Sequence, residues 1–482
     1  MNPILNYIDG QFVASQSGRT LATINPATGE IIAQVARSNG DDVEAATQAA
    51  LKASKAWSAT TLEQRVKWLH SIADALEVKS EAIAHLESLD TGKPISLARR
   101  VDANRSVSNF RFFATMGGDD EVPTFSANGA VNHVHRKPVG CVGLITPWNL
   151  PLYLLTWKVA PALLMGNTIV AKPSELTPLT AHLLAETLDE LGLPKGVFNL
   201  VNGYGPEVGQ AIVEHPSIGG ISFTGGTSTG KIVAATAAPM FKKLSLELGG
   251  KNATILLDDA PLETIMDDIV RASFTNSGQV CLCGSRVLVH EGIYDEFIHS
   301  FTTKVSALNV GDPMDEATQM GSVISMDHRK KVEAYINLGL EEGGDILTGG
   351  TSSHAPVANM PEEGAFLRPT VFANLSTSSR TATEEIFGPV VTVHSFATDE
   401  EAIAMANATD YGLAGSVWTA DIERGHAFAK NIESGIVWVN TWLNRDLRTP
   451  FGGVKQSGVG REGGTWSMDF FSELTNICIR QP

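Results

Sequence analysis

Ile221-Ser222-Phe223-Thr224-Gly225-Gly226-Thr227-Ser228-Thr229-Gly230 reads as a short apolar strand that turns on two glycines into a helix starting near Lys231. A glycine turn between strand and helix can set backbone N–H groups and the positive end of a helix dipole against a phosphate. The usual G-x-G-x-x-G spacing is missing, so a tight strand-to-helix turn is the plain alternative. The flanking sequence decides the fold. Upstream, Val142-Gly143-Leu144-Ile145, Thr168-Ile169-Val170-Ala171 and residues 197–201 read as strands, separated by helical patterns over 155–164, 178–191 and 207–214. Downstream, a strand over 253–257, a helix over 261–276, a strand over 286–290 and a helix over 293–306 repeat the alternation, which runs on to Ile436-Val437-Trp438-Val439. Strands alternating with helices predict parallel, doubly wound sheets. At 482 residues the chain is long enough for two or three domains. A change of domain near 246–250 would set Leu246-Glu247-Leu248-Gly249-Gly250 at an interdomain crevice.

Outside this series, residues 1–36 alternate β-type runs with turns at Asp9-Gly10 and Asn25-Pro26. Helices are expected over 41–57, 61–89 and 94–116, the last carrying Arg99, Arg100, Arg105 and Arg111. Residues 117–138 are polar and β-like, an excursion or arm. Residues 470–479 are β-like without a partner in their own neighbourhood.

A net charge of −17 argues against nucleic acid, whose binding needs cationic surface. The same charge means that an anionic substrate would need locally placed arginines. Cys141, Cys281, Cys283 and Cys478 are too few and scattered for a disulfide framework. Cys281 and Cys283 form C-x-C with no Cys/His pair nearby, so no metal site is expected. Met1-Asn2-Pro3-Ile4-Leu5-Asn6 has neither a basic segment nor an apolar run, so no secretion signal is expected. The most apolar stretch, 139–171, is broken by Pro147, Asn149, Pro151, Lys158 and Pro161 and fits a buried segment better than a membrane span. A cytoplasmic protein with no membrane partner is the expectation.

Two stretches carry reactive side chains. In Phe274-Thr275-Asn276-Ser277-Gly278-Gln279-Val280-Cys281-Leu282-Cys283 a thiol follows Gly-Gln where a helix gives way to a turn. Such a reversal can present a thiolate, the nucleophilic form, to a bound substrate. A buried structural cysteine is the alternative, and Cys283 competes for the role. Glu247 lies between Leu246 and Leu248, apolar neighbours that desolvate a carboxyl and raise its pKa toward that of a general base. A solvent-facing strand glutamate is the alternative there.

Seven short motifs tie these stretches together: Pro147-Trp148-Asn149, Lys172-Pro173-Ser174-Glu175, Phe223-Thr224-Gly225 with Gly230, Leu246-Glu247-Leu248-Gly249-Gly250, Gly278-Gln279-Val280-Cys281, Glu385-Ile386-Phe387-Gly388-Pro389 and Pro450-Phe451-Gly452-Gly453. On them the chain resembles the aldehyde dehydrogenase superfamily over nearly its whole length. The resemblance implies an α/β fold of two doubly wound, Rossmann-like parallel-sheet domains plus a small β oligomerisation arm. Residues 1–119 and 140–247 would bind NAD, 248–459 would be catalytic, and 120–139 with 460–482 would join copies into a homodimer or homotetramer. It also implies a variant glycine turn at the cofactor.

Under the resemblance Cys281 is the nucleophile. Its attack on an aldehyde gives a thiohemiacetal, which passes hydride to the nicotinamide and leaves a thioester. Glu247 activates the water that hydrolyses this thioester. The acyl-CoA-forming branch usually lacks a glutamate here, so a free acid is the expected product. Asn149 and the Cys281 N–H meet the oxyanion. Lys172 and Glu175 hold the adenosine ribose, the carboxylate favouring NAD over NADP. Glu385 and Phe387 stand at the nicotinamide ribose, and Ile145, Trp148, Gly205, Thr224, Gly225, Ser228 and Leu248 complete the cofactor set. Gly226 departs from the pattern, since many relatives carry a serine there.

Asn444-Arg445-Asp446-Leu447-Arg448 lies where the family's substrate loop falls. Guanidinium groups suit carboxylates. With Arg105-Ser106-Val107-Ser108-Asn109-Phe110-Arg111-Phe112-Phe113, the pattern resembles the branch that oxidises 2-aminomuconate and 2-hydroxymuconate semialdehydes, anionic aldehydes from aromatic ring cleavage. In that branch two arginines clamp the substrate carboxylate, and the matching positions are Arg105 and Arg445, with Arg111 and Arg448 as structural reserves. Surface pairing of Arg105 with Asp102, and of Arg445 with Asp446, is the alternative. A dehydrogenase of a neutral or cationic aldehyde, of the betaine aldehyde type, is the second reading within the class. A nucleotide-independent thiol hydrolase or acyltransferase, and an idle binding or lens-type protein, are the readings outside it.

Overall fold

The computed structural model describes residues 2–118 and 123–481. Its largest sheet has eight strands in the spatial order Gln11–Val13, Asn6–Ile8, Phe198–Leu200, Thr168–Lys172, Cys141–Ile145, Ile218–Thr224, Lys243–Glu247 and Gly458–Val459. The strands between 141 and 247 are all parallel. Strand order reverses between Cys141–Ile145 and Ile218–Thr224. Such a switch point opens a crevice at the carboxyl ends of the strands, where α/β sheets receive ligands. Every residue of Cys141–Ile145 and Thr168–Lys172 is buried. Helices on both faces explain why these strands are continuous apolar runs without alternation.

A second sheet has seven strands, ordered Asp345–Thr348, Thr370–Ala373, Val390–Phe396, Arg286–His290, Ala253–Leu256, Ala414–Trp418 and Ile436–Val439. It is parallel except at its first pair. Gly458–Val459 returns to the first sheet and pairs antiparallel with Leu246 and Glu247. The chain leaving the second sheet therefore comes back to Glu247.

Ser472–Arg480 finds its partner far upstream, pairing along its length with Ala130–Pro138, which pairs in turn with Thr124–Ala127. Leu474, Ile477, Ile479 and Phe125 are left exposed on this small antiparallel sheet. Residues 117 and 118 still belong to the helix Asn104–Gly118; 119–122, counted with the arm in the sequence, fall outside the described residues, as do Met1 and Pro482.

The helical expectations change at their ends for local reasons. Gly40–Ser58 starts on Asn39, whose side chain accepts from Asp41 N while Asp42 reaches back to the Asn39 N–H, a capping box. The pattern over 61–89 divides at Lys79 into Leu62–Val78 and Ser80–Thr91. The pattern over 94–116 contains a π-turn, Arg99–Ala103, between Ile95–Ala98 and Asn104–Gly118. Phe110, Phe113 and Trp157, all buried, pack Asn104–Gly118 against Pro151–Leu164; each contributes about 1.5–3 kcal/mol by leaving water. This packing carries Arg105 and Asn149 to the same end of the first sheet. Among the described residues no helix is long and apolar enough to cross a membrane, no group of three His, Cys, Asp or Glu is placed to hold a metal ion, and the cysteines are free.

Candidate active site

The helix expected over 261–276 ends at Phe274, because Asn276 and Ser277 adopt left-handed backbone at φ 53° and 55°. Each such non-glycine residue costs on the order of 1 kcal/mol or more, and it persists only where the surroundings over-determine it. Here they do. Asn276 Nδ2 donates to Asn149 O at 3.1 Å, Ser277 Oγ to Gly321 O at 3.0 Å, and Trp442 Nε1 to Leu282 O at 2.9 Å. Asn252 Nδ2 donates to the carbonyls of Cys281 (2.7 Å) and Cys283 (2.9 Å). Gly278 is required at its own position: φ is +71°, and a Cβ would lie 2.2 Å from Gly388 O. The result is a rigid loop presenting Cys281.

Cys281 is half-buried and faces a cavity of about 450 Å³. Its thiol is raised above the ordinary range by desolvation and then by the negative fields of Glu385 and Glu247, with Arg445 opposing. The resting sulfur therefore holds its proton. Cys283 is buried, its Sγ 3.7 Å from Thr275 O, and burial pushes it up to about 12.

The same cavity is lined by Glu247 and Asn149 together with Ile145, Trp148, Lys172, Glu175, Gly205, Thr224, Gly225, Leu248, Glu385 and Phe387. Ser228 is the exception among the expected cofactor residues: it is exposed on the first turn of the helix Thr227–Ala237, and Thr229 lines the cavity. Glu247 ends its strand buried, with neither carboxylate oxygen hydrogen-bonded. Desolvation and then the Glu462 charge raise its pKa well above the usual carboxylate range, against Lys158, Arg445 and Arg461. Glu462 is itself paired with Lys158 at 2.6 Å. Asn149 gives one amide hydrogen to Gln279 O at 2.9 Å, which leaves its second for another acceptor.

At the switch point the fittings suit a dinucleotide. The helix Thr227–Ala237 starts at Gly226 with no side-chain cap, so its first N–H groups are open. A Cβ at Gly226 would meet nothing within 4 Å, so the missing serine leaves room in front of these N–H groups. The hydroxyls of Thr146 and Thr224 are buried without partners. Lys172 Nζ bonds Glu175 Oε2 at 3.0 Å, setting a carboxylate at the rim. Glu385 accepts from Gly250 N at 2.9 Å. Gly249 permits that approach, for a Cβ there would lie 2.1 Å from Glu385 Oε2. Phe387, at φ 60°, meets the Trp148 ring edge-on at 5.3 Å.

Sequence reasoning missed His328 and Lys331, which also line the cavity. They lie one turn apart on the helix Met326–Glu341. His328, pushed down to about 4 by burial, is neutral, and its Nε2 stands 2.7 Å from Phe387 O. The run Asp327-His328-Arg329-Lys330-Lys331 reads as a solvated helix face, so the i, i+3 spacing was its one signal.

Arg105 lies near enough to Arg445 to feel its charge. Burial lowers the Arg105 pKa, Tyr153 opposes it, and Arg445 lowers it further. Neither meets a carboxylate. Asp102, the nearest acid to Arg105 in sequence, bonds Lys93 at 2.9 Å, and Asp446 is taken by Arg448 at 2.6 Å. The guanidiniums lie against aromatic rings instead: Arg105 on Tyr153 and Trp157, Arg445 on Trp157 and Phe451. Nη2 of Arg105, and Nε and Nη2 of Arg445, are buried without partners. Arg111 and Arg448 are exposed, each bonded to surface acids. A separate cavity of about 560 Å³, bordered by Arg100, Arg271 and Thr275, contains none of the expected site residues.

Fold and site together define an α/β enzyme with a nucleotide crevice and a loop-borne thiol. The sequence profile of the aldehyde dehydrogenase family matches residues 12–477, and the chain belongs to that family. It is 44% identical over 490 residues to a 2-hydroxymuconic semialdehyde dehydrogenase of Pseudomonas sp. (strain CF600), covering all of both chains. It is 45% identical to the human 2-aminomuconic semialdehyde dehydrogenase, covering 98% of each. The NAD+ complex of an aldehyde dehydrogenase from Bacillus cereus superposes with a TM-score of 0.96 at 38% identity, over 100% of this chain and 97% of that one.

Proposed function

We propose that this enzyme oxidises a carboxylated, unsaturated aldehyde to the free acid with NAD. The substrate would be of the 2-aminomuconate or 2-hydroxymuconate 6-semialdehyde kind, met in aromatic ring-cleavage catabolism. One observation carries the substrate: Arg105 and Arg445 stand together with buried N–H groups that no carboxylate of the chain engages. Unpaired buried cations are costly unless a ligand completes them. The named activities of the Pseudomonas and human relatives point the same way. An onium substrate of the betaine type would be repelled by both guanidiniums.

The residues that would hold NAD are Lys172 and Glu175 at the adenosine ribose, Thr224, Gly225 and the open helix start at the phosphates, and Glu385 with Phe387 at the nicotinamide ribose. Glu175 favours NAD because a carboxylate repels a 2′-phosphate. When bound, NAD supplies the hydride acceptor that lets the thiol adduct become a thioester. The chain's own residues do the rest. Cys281 gives up its Sγ proton to solvent, and the thiolate attacks the aldehyde carbon. The free amide hydrogen of Asn149 and the Cys281 N–H meet the developing oxyanion. Glu247 later takes a proton from the water that attacks the thioester, which a raised pKa suits.

In the same reading, residues 1–119 and 140–247 bind the cofactor and 248–459 carry the nucleophile. Residues 120–139 and 460–482 join a homodimer or homotetramer through the small sheet with exposed Leu474, Ile477 and Ile479. The cytoplasm suits an enzyme with a free catalytic thiol. The test is NADH formation over a panel of carboxylated, neutral and cationic aldehydes. The carboxylated unsaturated semialdehydes should give the highest kcat/KM; a preference for betaine aldehyde, or no NADH from any aldehyde, would refute the reading.

A further inference from the structure

Tyr153 touches both arginines of the site. It lies half-buried in the first turn of the helix Pro151–Leu164. Its hydroxyl accepts from Arg445 Nη1 at 3.3 Å, and its ring faces the Arg105 guanidinium at 5.1 Å. Asn109 holds the neighbouring edge, accepting from Arg105 Nε at 3.0 Å while donating to Tyr153 O at 3.0 Å. The two cations are therefore pinned by different edges. Arg105 has Nε engaged and offers Nη2; Arg445 has Nη1 engaged and offers both Nε and Nη2.

Elsewhere in this chain Arg111 holds Glu77 through Nη1 and Nη2, but the Nε–Nη2 edge is the commoner two-point grip on a carboxylate. Arg37 on Glu207, Arg424 on Asp399 and Arg448 on Asp446 all use it. That edge carries two parallel N–H groups at the spacing of a carboxylate's oxygens. Arg445 presents it buried, with nothing on it. Stacking on Phe451, 3.8 Å from the ring centroid, fixes the plane of the guanidinium but leaves rotation within that plane open. The Tyr153 hydroxyl stops that rotation by occupying Nη1.

We propose that Tyr153 is a positioning residue that makes Arg445 a two-point carboxylate socket, with Arg105 as a single-point contact. The proposal rests on the anionic-substrate reading above and specifies how that site selects charge. It predicts that the two arginines are not equivalent: Arg445→Lys, which has no fork, harms recognition more than Arg105→Lys.

Tyr153→Phe tests it, since the ring stays and the hydroxyl goes. The quantity read is a selectivity ratio: kcat/KM for a carboxylated unsaturated aldehyde divided by kcat/KM for its uncharged methyl ester. The ratio should fall about tenfold, through KM for the acid, as for one charge-assisted hydrogen bond lost. In an Arg445→Lys background the same substitution should change the ratio less than about twofold, because the socket it positions is already gone. If Tyr153→Phe leaves the ratio within about twofold while Arg445→Ala still lowers it about tenfold or more, the positioning role is overturned and the anionic-substrate reading stands. If Arg445→Ala leaves the ratio unchanged too, that reading itself has failed. Equal losses on acid and ester from Tyr153→Phe mark a merely structural residue and also overturn the proposal.

Discussion

Glu87 and Glu247 are both buried glutamates, yet their surroundings are opposite. Glu87 accepts from Leu152 N and the Thr180 hydroxyl on one oxygen and from Lys93 on the other, and Lys93 also binds Asp102. Glu247 accepts nothing. The same division separates the arginines, for Arg111 and Arg448 are bonded to surface acids while Arg105 and Arg445, half-buried, keep buried N–H groups without one. A buried charge that serves only the fold is paired, because an unpaired one costs several kcal/mol. Glu247 lines the cavity, the Arg445 charge reaches it and Cys281, and unpaired groups of this kind mark positions kept for a ligand at the expense of stability.

The comparison breaks most plainly at Glu247. Glu247→Gln should lower steady-state turnover by roughly 10²–10⁴-fold, the usual worth of a general base, and let an acyl thioester accumulate on Cys281, visible as added mass on the intact protein. An unacylated enzyme with normal turnover would remove Glu247 from the chemistry. The same substitution should stabilise the fold. The folded-state pKa of Glu247 is raised, so its contribution is fully present below the unfolded value of about 4.3 and is lost as pH rises through the folded one. A neutral amide escapes that loss, and the gain at pH 7 should be on the order of 1 kcal/mol by denaturant titration.

Lys93→Met is the counter-case. It strips the shared partner from two fully buried acids, Glu87 and Asp102, and should cost about 3–5 kcal/mol of stability; a loss below about 1 kcal/mol would show that pairing is not what distinguishes the two regions. Glu462→Gln sharpens the electrostatics. It removes the charge that raises Glu247 and leaves Lys158, which lowers it. The acid limb of the kcat–pH profile should therefore move to lower pH, and a shift upward would contradict the assignment. Smallest of all, Arg448→Ala breaks only a surface pair with Asp446 and should change stability by less than about 1 kcal/mol and carboxylate selectivity less than about twofold.

Much of this was legible in the sequence, for identifiable reasons. Continuous apolar runs such as Cys141–Ile145 announce strands buried on both faces, and the glycine turn after Thr224 marks the switch point. What escaped depends on contacts between distant segments. The left-handed pair Asn276–Ser277 is held by groups from Asn149 and Gly321. The strand Ser472–Arg480 has its partner in Ala130–Pro138. Sequence proximity offered Asp102 to Arg105 and Asp446 to Arg445, but Lys93 and Arg448 take those acids. His328 and Lys331 were hidden inside a charged helix face. Ser228 lies exposed on the first helical turn, while Thr229, one residue on, lines the cavity.

The most direct measurement is the selectivity ratio, kcat/KM for the carboxylated semialdehyde over that for its methyl ester, in the Arg105→Ala, Arg445→Ala double variant. With both guanidiniums gone the ratio should fall by about 100-fold or more, each charged contact being worth about 1.5–3 kcal/mol. A ratio within about twofold of the parent enzyme would contradict this reading, for Arg105 and Arg445 would then be holding something other than the substrate's carboxylate.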